Sequence, residues 1–204
     1  MGFVRMRVLV IVVFKTIITN RWNVKIAGSM TMPNWCANRV TVDGDISEVI
    51  RFAALVKSED GSESFCFESV IPIPEELYDV QSPVVIVDTE AEVEAWIEEH
   101  SRASKEGFFV SGHPITKDTQ MRLLMEYNSD NWYDWSCDNW GVKWDARDVE
   151  IAESWGDGFG ELEYTFDTPW GPPEPVCKVL REKFPDLAIE WFWDEPGMQI
   201  AGYL

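Results

Sequence analysis

Basic residues are scarce in this chain. Against 36 aspartates and glutamates stand 17 lysines and arginines, a formal net charge of −19 over 204 residues. A surface of that sign repels phosphate backbones and anionic lipid headgroups, which argues against direct nucleic-acid binding and against a membrane surface. Histidine is rarer still. His100 falls in an acidic helical pattern and His113 in a G-H-P turn, and neither belongs to a group with the three or four ligands that zinc takes. The four cysteines (Cys36, Cys66, Cys137, Cys177) are 30, 71 and 40 residues apart with no C-x-x-C. That spacing excludes a zinc ribbon and a thioredoxin-type pair and leaves free, buried thiols as the expectation. The apolar run from Val8 to Phe14 has seven residues, where about 20 are needed to span a bilayer. The D-x-[DN]-x-[DN]-G calcium loop is missing. Gly156, Gly158 and Gly160 are spaced like a phosphate loop, but they join two strand patterns and no Lys-Ser/Thr follows, so they read as a hairpin turn. No cofactor and no metal is expected.

What is present is a core. The chain is 46% apolar and 13% aromatic, with eleven tryptophans, enough for one packed domain. Its first 31 residues differ from the rest: they hold five bases (Arg5, Arg7, Lys15, Arg21, Lys25) and no acid. The remaining residues carry 12 bases against all 36 acids, a net charge of −24. Residues 1–31 are therefore read as a basic extension and 32–204 as the domain.

Along that domain, C-A-N-R-V-T-V at 36–42 alternates as a half-buried strand. Gly44 turns it, Asp45 and Glu48 form a capping box, and residues 46–57 follow at helical spacing. F-C-F-E-S-V at 65–70 alternates as a second strand, ended by I-P-I-P. Residues 75–130 read as an insertion with two helices. One runs over 89–102, with Val93, Trp96 and Ile97 inward; the other over 116–127, with Met121, Leu124 and Met125 as core contacts. Residues 131–146, N-W-Y-D-W-S-C-D-N-W-G-V-K-W-D-A, keep neither period and read as an ordered aromatic loop. Beyond it come a hairpin with Leu162, Tyr164 and Phe166 inward, a helix with Val176, Leu180 and Phe184 buried, and two last strands turned by Glu195-Pro196-Gly197. Trp35, Trp170 and Trp191 are expected in the core. The order predicts an α+β fold of the split β-α-β, ferredoxin-like type: an antiparallel sheet with helices on one face and a helical insertion.

Four segments, M-P-N-W-C-A-N-R-V-T-V at 32–42, N-W-G-V-K-W-D-A at 139–146, F-D-T-P-W-G-P-P at 166–173 and E-P-G-M-Q-I-A-G at 195–202, resemble the YubB-like family over residues 32–204. The resemblance implies a small ferredoxin-like domain of unknown function, carried by plasmids and phages. It brings no catalytic residues. "Ferredoxin-like" names a topology here, because an iron–sulfur cluster requires closely spaced cysteines.

Acidity and mobile-element origin lead to the first functional expectation: a cytoplasmic, non-enzymatic protein whose carboxylates imitate phosphates and bind a basic host or defence protein. Two surfaces are candidates. The first is the helix bearing Glu90, Glu92, Glu94, Glu98 and Glu99. The second is the aromatic segment, with Trp132, Trp135, Trp140 and Trp144 supplying contact area and Asp134, Asp138 and Asp145 engaging the partner. The alternative is a small carboxylate- or metal-dependent enzyme using Asp134, Asp138 and Asp145. A ferredoxin-like sheet that binds RNA through exposed aromatics ranks third. A Cys–His nucleophile is disfavoured, since Cys137 alone falls in a loop and its acidic neighbours raise its pKa.

Overall fold

Burial alternates from Trp35 to Val42 along Trp35–Asp45 (β1), the middle strand of the main sheet, with Cys36, Asn38, Val40 and Val42 buried on one face. The structure, a computed structural model, describes residues 34–105 and 112–204; the extension expected over 1–31 lies outside the described residues. Asp45 ends β1 and caps the next helix, its carboxylate accepting from the Ser47 backbone N–H at 2.9 Å. That helix, Ile46–Val56 (α1), buries Val49, Phe52 and Val56.

The chain then leaves the sheet and returns at residue 147. In between lie Phe67–Val70 (α2), Glu75–Tyr78 (α3), Ile86–Val87 (β2), Glu90–Lys105 (α4), Ile115–Thr116 (β3), Lys117–Tyr127 (α5) and Trp132–Asn139 (α6). The last part is Arg147–Trp155 (β4), Phe159–Pro169 (β5), Glu174–Lys183 (α7), Ala188–Glu195 (β6) and Ile200–Tyr203 (β7). The main sheet has the order β4-β5-β1-β6-β7 with every neighbouring pair antiparallel; β2 and β3 form a separate parallel pair. Strand β5 thus lies between β1 and the parallel β4, which is the split β-α-β arrangement, with β7 as an added edge.

The core fills one side of this sheet. Leu162, Tyr164, Phe166, Ile189 and Trp191 meet the apolar stripes of α1 and of α7 (Val176, Cys177, Leu180). Phe65 is the hub: its ring lies 5.0 Å from Tyr164, 5.0 Å from Phe166 and 6.0 Å from Trp191, centroid to centroid. Truncating such a side chain costs about 3–5 kcal/mol.

Four expectations are corrected. Residues 65–70 form no strand: Phe65 and Phe67 both reach into the core, and the chain between them turns into α2, so alternating burial arises without strand pairing. On α5 the buried side chain is Leu123, while Met121, Leu124 and Met125 are exposed, Met125 by 87%. Four apolar residues fall within five positions, so local pattern did not single out a face, and it is Leu123 that joins the core cluster with Leu77, Val80 and Ile115. On α4, Val93 is buried and Trp96 half-buried, but Ile97 faces solvent. Residues 132–139 are helical rather than a loop. Asn131 caps that helix, accepting from the Asp134 N–H at 3.0 Å and donating to its carboxylate at 2.6 Å.

Candidate functional site

The four sequence motifs meet at one end of the sheet, where several of their polar groups are hydrogen-bonded to one another. Asn38 Nδ2 donates to Thr168 Oγ1 at 2.7 Å and to the Cys36 carbonyl at 3.0 Å, and Asn38 Oδ1 accepts from the indole of the fully buried Trp191 at 3.0 Å. Thr168 in turn donates to the Gly171 carbonyl, and the Trp170 N–H donates to the Asn34 carbonyl. Trp35 and Trp144 approach to 6.3 Å. Glu195 is fully buried and accepts from the Met198 N–H, closing the β6–β7 turn. Glu195 Oε1 has no hydrogen-bond partner among the described residues, and the other bonds of this cluster hold the strand ends together. Of the three tryptophans expected in the core, Trp191 is buried and Trp35 half-buried, whereas Trp170 is 51% exposed with φ +73°.

Burial removes several candidates from any contact surface. Trp135 and Trp140 are 6% and 3% exposed, and the Trp140 indole donates to the Ile71 carbonyl at 2.8 Å. Trp144 is half-buried under Lys143, whose ammonium lies 3.9 Å from the ring centroid. Asp145 is committed internally: it accepts from the N–H groups of Phe67 (2.6 Å), Glu68 (3.2 Å) and Ala146 (2.7 Å) and from the Cys66 thiol (3.2 Å). Enclosure of the carboxylate pushes Asp145 above its ordinary pKa, against these four donors, which hold it down. Asp134 and Asp138 remain exposed on α6, and Trp132 is half-buried. The three aspartates of the enzymatic reading therefore do not share one open site. Among the described residues no group of three or more His, Cys, Asp or Glu side chains is placed to hold a metal ion.

On α4, Glu90 and Glu92 also serve the fold. Glu90 accepts from Thr116 Oγ1 at 2.9 Å and Thr119 Oγ1 at 3.3 Å, tying α4 to the start of α5, and Glu92 accepts from the Asp88 N–H. Glu94, Glu98 and Glu99 point outward. The thiols are free, and none is an activated nucleophile. Burial pushes Cys36 up to about 11 and Cys66 up to about 12, and raises Cys137 and Cys177 as well.

The sheet face opposite the helices carries what sequence reasoning missed. Read across β4, β5, β1, β6 and β7, its rows are Arg147–Asp167–Ala37–Asp194–Ala201 and Glu150–Thr165–Arg39–Phe192–Tyr203, then, without β7, Ala152–Glu163–Thr41–Glu190 and Ser154–Glu161–Asp43–Ala188. Seven carboxylates share this face with two arginines. Arg39 lies over the Phe192 ring at 5.3 Å, and the Phe192 and Tyr203 centroids are 5.2 Å apart. Arg147 is held near Trp35. No ion pair among the described residues neutralises any of the seven acids. Partial burial, with Asp148 nearby, raises the pKa of Asp167. The signal was available in E-L-E-Y-T-F-D and A-I-E-W-F-W-D, whose outward positions are largely acidic; the strand order that sets them side by side was needed as well.

An antiparallel sheet of this order with helices on one face defines the class, a ferredoxin-like α+β domain. Residues 139–204, from the end of α6 through β7, match the family model described as the ferredoxin-like domain in Api92-like protein. The crystal structure of a protein api92 from Yersinia pseudotuberculosis is similar to this chain at 14% identity and a TM-score of 0.45, over 84% of this chain and 93% of that one. No curated protein matches the chain. Among the described residues no helix is long and apolar enough to cross a membrane.

Proposed function

We propose that this is a non-enzymatic interaction protein whose acidic sheet face binds a basic surface of another protein, in competition with nucleic acid. The observation that carries the reading is the carboxylate grid on β4, β5, β1 and β6. Seven acids against two arginines on one open face supply a directed negative potential, which steers a basic partner at long range. The row Arg39–Phe192–Tyr203 supplies the less polar centre that interfaces use for affinity. Ferredoxin-like sheets stack RNA bases on aromatics in such a position, but the surrounding carboxylates oppose a phosphate backbone, so a protein is the better fit. Glu94, Glu98 and Glu99 are further exposed carboxylates, on α4. The YubB-like resemblance adds the proposal that the chain is encoded by a mobile element and that its partner is a host DNA-binding or defence protein.

The test is affinity capture with the full chain from host lysate at about 0.1 M and 1 M salt, where the screening length falls from ~10 to ~3 Å. A basic protein captured at low salt, released at high salt and displaced by added duplex DNA is the expected result. A complex indifferent to both salt and DNA refutes the mimicry. If instead a divalent-ion-dependent activity appears and is lost on replacing the exposed Asp134 and Asp138 by asparagine, the enzymatic alternative takes its place.

A further inference from the structure

The segment between α1 and β4 carries a cleft that the sheet-face reading does not use. Between residues 82–84 and the first turn of α6 lies an open cavity of about 510 Å3. Pro83, Val84, Trp132 and Tyr133 contribute apolar lining and Asp130 and Asp134 contribute carboxylates, and among the described residues no lysine, arginine or histidine lines it. The Trp132 and Tyr133 rings stand at 78° to one another with centroids 5.7 Å apart, so they form a corner rather than one flat wall. Tyr133 is 37% exposed and Trp132 half-buried.

The carboxylates are oriented but not saturated. Asp130 accepts from Gln120 Nε2 at 2.7 Å and from Asn131 Nδ2 at 2.8 Å, and Asp134 accepts from Asn131 Nδ2 at 2.6 Å. A carboxylate has about four acceptor positions, so each retains room for another donor. Asn131 caps the Asp134 N–H and Asp134 places a negative charge in the first turn of α6, which opposes an external anion there.

Aromatic faces and two carboxylates, with no base among the described lining residues, favour an organic cation. Among side-chain cations, a guanidinium suits the shape best: it is planar, weakly hydrated, stacks on aromatic rings and donates in its own plane to carboxylates. We infer that this cleft receives an arginine side chain of the basic partner. For the source of that arginine the inference rests on the proposed function; for the cleft's chemistry it does not.

The test is a titration of the 15N-labelled full chain with millimolar acetyl-Gly-Arg-Gly-amide and with its lysine and citrulline counterparts. Citrulline keeps the shape of arginine and removes the charge. The expected result is a saturable shift of the Trp132 indole N–H and of the 130–134 amides with the arginine peptide, a weaker one with lysine and none with citrulline. Tyr133→Ala and Asp134→Asn are each expected to weaken arginine binding about five-fold, the scale of one exposed cation–π or charged contact. Equal shifts with citrulline, or no saturable shift in the cleft, overturn the inference. The two claims fail separately. A captured partner lost on reversing the sheet charges but indifferent to Tyr133→Ala and Asp134→Asn overturns this inference and upholds the proposed function. Arginine binding in the cleft with no basic protein captured at either salt does the reverse.

Discussion

Replacing Asp145 by alanine is expected to destabilise the protein by about 3 kcal/mol, since hydrogen bonds to a charged group contribute roughly 1.5–3 kcal/mol each and stripped donors in a closed site are costly. Its carboxylate is the acceptor for three backbone N–H groups and a thiol, which fix the start of α2 against the end of the 139–146 segment. Phe67, the first residue of α2, packs at 5.9 Å from Trp140 and 5.7 Å from Phe166, so loosening that turn disturbs the aromatic core. Asp145→Asn keeps one oxygen for Phe67 and Ala146 but turns an NH2 toward Glu68 and Cys66, and about 1–2 kcal/mol is the expected loss. Guanidinium denaturation of the full chain, followed by tryptophan fluorescence, measures both as a shift in midpoint at constant slope.

A second arm varies pH. Because the folded Asp145 pKa is raised, its contribution to stability is fully present below the ordinary carboxylate range near ~4 and is lost as pH rises through the folded value. Acidification from neutrality should therefore stabilise the wild type more than Asp145→Asn. An alanine variant within about 1 kcal/mol of wild type would refute the assignment of Asp145 to the fold, and a pH trend of opposite sign would mean that its four donors outweigh the enclosure of the carboxylate.

Three further outcomes follow from the packing. Asn38→Ala leaves the buried Trp191 indole N–H without its acceptor and removes the bond that Thr168 Oγ1 accepts, and unfolding measurements should show a loss of about 2–4 kcal/mol. Leu123→Ala should cost about 2–4 kcal/mol while Met125→Ala changes stability by less than about 0.5 kcal/mol; equal effects would mean the buried face of α5 is misassigned. At neutral pH a thiol-specific disulfide reagent should label the native chain slowly, because burial raises all four thiols, and a rapidly reacting cysteine would contradict this.

The hairpin of β4 and β5, helix α7 and strands β6 and β7 were readable because clean periods of 2 and 3.6 are bounded by Gly156–Gly160, Pro172–Pro175 and Pro185. Elsewhere local pattern and tertiary packing diverged. Phe65 and Phe67 imitate a strand because both enter the core, and what makes the turn is an aspartate 78 residues away from Phe67. The helix at 132–139 hid behind the density of aromatics, although Asn131-x-x-Asp134 is a capping signature that gave it away. For the candidate site, strand alternation revealed which carboxylates face outward, while their assembly into a grid depends on β1 pairing with β5 and β6, contacts separated by well over a hundred residues. Tyr133, Pro83 and Asp130 converge for the same reason, and no local period marks them.

The proposed partner binding rests on the carboxylates of the sheet face. The most direct measurement compares the wild-type full chain with a Glu161→Lys, Glu163→Lys, Glu190→Lys variant, checked for unchanged folding, for binding to the captured basic protein at about 0.1 M salt. These three side chains lie outside the core, so stability should change little. The account predicts that the variant loses most of the affinity, chiefly through slower association, and that wild-type binding weakens steeply with added salt. Undiminished binding by the reversed variant would contradict it.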